Sequence, residues 1–238
     1  MTSEPMAPGA PAIILFRQVD RDDRASNYSA REDNYVRIKI LTEEGRKFGN
    51  VELPYWEGAE KIVDIKGRTQ NPDGAIVNFD GKVFEKRLVK ARGIRYSAKI
   101  FALPEVRIGS IIEYSYRVEW GWVYDSSWIL SQDLFTKKAR FSLKPSPFFV
   151  LRMGGRVPPG LAPKMGPDRV IRMEASNIPA FQTEDFMPPE GELQARVDFI
   201  YSRLASKLTR ISSGRTSART GTRGWSISSP NARRWKKR

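Results

Sequence analysis

Ile111–Glu119, IIEYSYRVE, alternates with a period of two: Ile112, Tyr114, Tyr116 and Val118 fall on one face, and Glu113, Ser115, Arg117 and Glu119 on the other. That is the period of a β-strand with one buried face, because successive strand side chains point to opposite sides of a sheet. The same text recurs on either side. Val36, Ile38 and Ile40 alternate with Arg37, Lys39 and Leu41. EEGRK at Glu43–Lys47 reads as a turn into a strand through Val51 and Leu53, and Ile62, Val63 and Ile65 mark a third. NPDG at Asn71–Gly74 is a turn signal, since proline pre-sets φ and glycine tolerates positive φ. It leads into residues 75–79, and Asp80-Gly81 then predicts a hairpin with residues 82–90. Residues 127–131, 139–144, 148–153 and 169–175 read as further strands, the last two separated by a proline- and glycine-rich stretch at 154–168. Residues 190–201 carry the one helical pattern, although Val197–Tyr201 reads equally as a strand. The expectation is mainly β: an antiparallel β-sandwich of many short strands, with little helix.

The 238 residues contain no histidine and no cysteine. Histidine is the usual acid–base group near neutral pH. Thiol nucleophiles, Ser–His–Asp triads and Cys/His zinc sites need residues this chain lacks. Only carboxylate pairs, a lysine or a tyrosine could carry catalysis, and no residue is assigned a catalytic, cofactor-binding or metal-binding role. The formal charge of +14 suggests nucleic acid until it is divided along the chain. Residues 204–238 carry Lys207, Arg210, Arg215, Arg219, Arg223, Arg233, Arg234, Lys236, Lys237 and Arg238 and no acid, which is +10 of the total and leaves +4 on the body. No run reaches the roughly eighteen apolar residues of a membrane span, and nothing after Met1 reads as a signal peptide. The division expected is a flexible arm over 1–11, a β-sandwich over 12–202 and a disordered basic tail over 203–238.

Four constellations invite a functional reading. EWGWVYDSSW brings Trp120, Trp122, Tyr124 and Trp128 close in sequence. They could form an aromatic platform for glycan or peptide, but aromatic side chains mostly fill cores, and capping one end of the sandwich is the preferred account. Asp20, Asp22 and Asp23 could ligate calcium, yet Arg21 and Arg24 interleave and no glycine-bearing ligand loop follows, so a solvated loop is expected. Lys82, Lys86, Arg87, Lys90 and Arg92 alternate with apolar residues as on a solvent-facing strand edge. Glu184, Asp185, Glu190 and Glu192 are near in sequence, a weak signal for paired acid–base chemistry.

Five stretches together carry a resemblance: APAIILFRQVDRDD, YVRIKILTEEGRKFGNVELPY, NPDGAIVNFDGKVFEK, FALPEVRIGSIIEYSYRV and WILSQDLFTKKARFSLKP, continued by NIPAFQTEDFMPP and RVDFIYS. Over about residues 8–202 the chain resembles a bacterial domain of unknown function that precedes transglutaminase-like domains. The resemblance implies an N-terminal β-sandwich of a larger exported protein, periplasmic or extracellular in full-length relatives. There a papain-like core with Cys, His and Asp follows as the partner. With no Cys and no His here, none of that core's catalytic residues carries over. Relatives have a signal peptide ahead of the MTSEP-like stretch, so Met1 reads as an internal methionine. The tail also reads as a shifted frame. With suitable codons, Thr209–Arg215 (TRISSGR) read one nucleotide earlier gives NPDKFWK. Thr216–Arg238 permits DIGKDWNARVEHFIAKRKAMEKA, an amphipathic, helix-like string. The function expected is a non-catalytic accessory domain that docks substrate or packs on the core. The alternative is a binding module, taking glycan or peptide at the tryptophans, or nucleic acid non-specifically at the tail.

Overall fold

Strands account for nearly every element. In chain order they are β1 (Ala12–Ser26), β2 (Ser29–Ile40), β3 (Asn50–Trp56), β4 (Glu60–Gln70), β5 (Ile76–Asn78), β6 (Phe84–Ala91), β7 (Ile94–Ala102), β8 (Ile111–Trp120), β9 (Ser126–Ile129), β10 (Thr136–Lys144), β11 (Phe149–Arg156), β12 (Lys164–Met165), β13 (Ile171–Ile178) and β14 (Arg196–Arg203). A 3-10 turn at Glu44–Gly49 and one helical turn, α1 (Glu190–Leu193), complete them. The structure is a computed structural model and describes residues 3–26, 29–91, 94–123 and 125–203.

One eight-stranded sheet runs in the order β12-β13-β10-β1-β2-β8-β4-β5, and two three-stranded sheets, β3-β7-β6 and β11-β14-β9, accompany it. Paired residues share a face, so the register shows what that face carries. One row runs Ile14–Ile38–Ile112–Thr69; another runs Met173–Phe141–Val19–Asn34–Tyr116. The first core gathers Ile14, Val36, Ile38, Ile40 and Ile112 with Val51 and Leu53 of β3 and Phe101 of β7. The second gathers Val19, Phe141, Leu143, Ile171 and Met173 with Trp128 of β9 and Val197 and Phe199 of β14. The molecule is therefore two sandwiches side by side on one face of a shared sheet. Ile112, Ile40, Leu143 and Ile171 have no exposed surface. The alternation expected of β8 and β2 is met: Val36, Ile38 and Ile40 are core, and Tyr114, Tyr116 and Val118 pack against it.

Strand β1 serves both cores, and a bulge makes that possible. Ile14 pairs with Ile38 and Phe16 with Arg37, so Leu15 is the extra residue. Without it, Ile14 and Val19 would point to opposite faces, because one residue of register inverts a strand. Ten of the recorded pairings are antiparallel; β1 with β10 is parallel. The chain arrives at β10 from another sheet, through β9, and such a crossover imposes no reversal.

Several expectations are corrected. The hairpin across Asp80-Gly81 does not form: β5 pairs with β4 in the large sheet, and β6 pairs with β7 in a small one. Phe79 turns onto Phe101 in the first core (ring centroids 5.2 Å), so the chain crosses between layers at this point. The Asp20–Asp23 segment is strand, not solvated loop, with Arg21 and Asp23 buried. The expected arm over 1–11 is mostly exposed along its described residues 3–11 and meets the body at two points. Glu4 is buried against Lys137 (2.7 Å), and the Pro11 carbonyl accepts from the Leu41 and Thr42 amides. Strand β7 was not legible in the sequence, and within residues 190–201 the strand reading prevails after a single helical turn. The tail from residue 204 lies outside the described residues.

Candidate functional site

The four aromatic residues singled out in the sequence are not gathered into one surface. Trp128 is 2% exposed, stacked on Phe141 (4.9 Å between centroids) in the second core, and its indole N–H has no partner among the described residues. Trp122 is 58% exposed. Trp120 ends β8 on the inner face, half-buried, and Tyr124 lies outside the described residues. Positions 120 and 128 occupy different strands of different sheets.

Trp120 instead belongs to a polar seam between the two cores. Its Nε1 donates to Glu60 Oε1 (3.2 Å), and the Trp56 amide donates to Oε2 of the same carboxylate (2.8 Å). Arg21 lies over the Trp120 ring, 4.8 Å from its centroid. Arg21 Nε donates to Asp23 Oδ1 (2.7 Å), with side chains 3% and 0% exposed. Tyr201 closes the line by donating its hydroxyl to Asp23 Oδ2 (2.5 Å) while accepting from the Ser146 amide (3.4 Å). Trp56 sits in one small sheet and Tyr201 in the other, so the contacts run from sheet to sheet across β4, β8 and β1. Further along β1, Arg17 Nη1 donates to the Ile129 carbonyl (2.6 Å).

The electrostatics follow from burial. Glu60 is held above the usual carboxylate range, chiefly because its charge is desolvated, with the Glu32 charge adding to the effect and both hydrogen bonds opposing it. Burial pushes Tyr114 up to about 12, and it raises Tyr116 and Tyr201 further, the latter also through the Asp23 charge. Burial lowers Arg17, against the raising influence of Tyr116 and Glu32. These phenols stay protonated, and that of Tyr201 acts as a donor. The arrangement satisfies buried charges and clamps the two sandwiches together.

Sequence reading passed over Arg17, Arg21, Glu60 and Tyr201. A signal was present: Val19, Arg21 and Asp23 share one face at period two, which places a charge pair on the buried side of a strand. The three aspartates once considered for calcium are divided. Asp20 accepts from Gln18 and Ser142 (2.5 Å each), Asp22 from Lys144 (3.3 Å), and Asp23 from the buried partners above. Among the described residues no group of three or more acidic side chains is placed to hold a metal ion. Lys86 and Arg87 are exposed along edge strand β6 and Lys82 is exposed just before it, whereas the side chain of Lys90 and all of Arg92 lie outside the described residues. Glu184, Asp185 and Glu192 are exposed in the connection to β14. Among the described residues no helix is long and apolar enough to cross a membrane.

Comparison with known proteins places this geometry. The fold is shared with a candidate protease from Parabacteroides distasonis at TM-score 0.66 and 16% identity, over 79% of this chain and 40% of that one. The chain thus spans less than half the length of that protein. A candidate nutrient-binding protein from Legionella pneumophila (TM-score 0.37, 7% identity, 84% of this chain, 68% of that one) and leukotriene A4 hydrolase from Saccharomyces cerevisiae (TM-score 0.38, 10% identity, 79% and 29%) are more distant. No protein with a curated description matches. Residues 26–182, from the end of β1 to just beyond β13, match one family throughout, and the chain belongs to that Domain of Unknown Function family with a solved structure, DUF3857.

Proposed function

We propose that this chain is a non-catalytic β-domain that serves a catalytic unit of a longer, exported protein, packing against that unit or presenting substrate to it. One observation carries the reading: the fold covers 79% of this chain but only 40% of a candidate protease, so in that protein the same architecture is one part beside a larger remainder. The composition agrees, because without histidine or cysteine only carboxylates, a lysine or a tyrosine are left to carry catalysis. The carboxylates of the seam are engaged by indole, amide, guanidinium and phenol donors. The catalytic unit is proposed to be transglutaminase-like, on the resemblance of residues 8–202. Purified chain, incubated with casein and with an amine acceptor, should neither cleave the protein nor incorporate the amine. Turnover of either kind that disappears on changing a single Asp or Glu refutes the proposal.

A further inference from the structure

The outer face of the large sheet, opposite both cores, carries a shallow hollow of about 520 Å3 across β1, β2, β8 and β4. We propose that this hollow binds a short neutral oligosaccharide. Its centre is aromatic: Phe16 and Tyr35 lie 6.1 Å apart at 53°, with the Arg140 guanidinium 5.7 Å from the Phe16 ring. Partly exposed rings beside paired polar groups suit a pyranose, which offers an apolar C–H face together with hydroxyls.

The polar groups around this centre are fixed in advance. Arg117 bridges two carboxylates, Nε to Asp33 Oδ1 (2.7 Å) and Nη1 to Asp64 Oδ2 (2.9 Å). Gln18 and Ser142 hold Asp20 (2.5 Å each). Each paired group keeps further donors or acceptors, so adjacent hydroxyls can be met two at a time with little side-chain ordering on binding. The charges nearly cancel: Asp20, Asp33 and Asp64 face Lys66 and Arg117, with Arg140 beside them. That balance disfavours nucleic acid and anionic lipid, which require a basic face.

The backbone agrees with a built site. The bulge at Leu15 precedes Phe16 on one wall, and a second bulge between Val63 and Lys66 forms the other. At that second bulge Asp64 adopts φ of +55°, a left-handed conformation that a non-glycine residue holds at a cost. Bulges bend the sheet and re-aim side chains beside functional sites.

The test is calorimetric titration of the full chain with cellohexaose, maltohexaose, xylohexaose and chitohexaose. At least one should bind, and Tyr35→Ala and Arg117→Ala should each weaken that binding by about tenfold or more. Trp122→Ala should leave it unchanged. Asp64→Asn, which tolerates positive φ, supplies a second disruption should Tyr35→Ala fail to fold by circular dichroism. The proposal is overturned if none of the four hexasaccharides binds. It is equally overturned if binding survives the changes in the hollow, if it falls with Trp122→Ala, or if only a single-stranded oligonucleotide binds.

Discussion

Asp23→Ala removes the acceptor that holds Arg21 and Tyr201 together, and its cost follows from burial. The pair is 3% and 0% exposed, and the Arg21 guanidinium would keep its place over Trp120 without its carboxylate. Breaking a buried ion pair from one side typically costs about 3–5 kcal/mol, because the remaining charge stays desolvated. The hydrogen bond from Tyr201 to a charged acceptor, worth about 1.5–3 kcal/mol, is lost in the same change and is part of that figure rather than an addition to it. A domain of this size has a total stability of about 5–15 kcal/mol, so about a fifth of it or more should disappear. The melting temperature should fall by about 6–20 °C, at roughly 2–4 °C per kcal/mol for a domain of this length. Replacing both partners, Arg21→Leu with Asp23→Leu, should restore much of the loss, since an apolar pair leaves no buried charge. Urea unfolding followed by tryptophan fluorescence measures all three proteins. If Asp23→Ala costs less than about 1 kcal/mol, or the double change costs as much as the single one, the seam is not the clamp described here.

Three further outcomes follow from the structure. Glu60 has a folded-state pKa above its unfolded value, so the native state binds more protons in that window and stability must fall as pH rises through it. The stability of the protein minus that of Glu60→Gln should therefore decline from the unfolded glutamate pKa upward by at most about 1.4 kcal/mol per pH unit and then level off; a flat or rising difference contradicts the burial argument. Leu143→Ala and Ile112→Ala, one in each core and both without exposed surface, should each cost about 2–5 kcal/mol. With the seam intact each variant should still unfold in one transition by circular dichroism and fluorescence alike, and two separated transitions would show the sandwiches to be independent. Gly155 has φ of +117°, and a Cβ there would meet the Arg196 carbonyl oxygen at 2.4 Å. Gly155→Ala should thus loosen the pairing of β11 with β14, seen as faster amide exchange along β11 than along β2, and equal protection would refute it.

That this is a β protein, and which residues face inward along its best strands, was legible in the alternation alone. Period two is a local property: in β8 and β2 each side chain's face is settled by its neighbours two positions away, so Ile112, Ile38 and Ile40 were legible as core. The turn at Asn71–Gly74 was legible for the same reason, with the Gly74 amide donating to the Asn71 carbonyl (3.0 Å) and Gly74 at φ +88°. Pairing partners were not legible, because the hydrogen bonds of a ladder carry no residue code. Asp80-Gly81 has the chemistry of a hairpin, yet the chain crosses it from one layer to another, with Phe79 packed on Phe101. Strand β7 stayed hidden because its inward positions, Ser97, Lys99 and Phe101, mix polar with apolar. The seam was out of reach for a further reason. A charge is read from sequence as solvated, and it takes the folded chain to bring Arg21 and Asp23 to Tyr201, 178 positions beyond Asp23, where two cores adjoin. Burying that pair is favourable only when all its partners arrive together, and their arrival is a property of the whole fold.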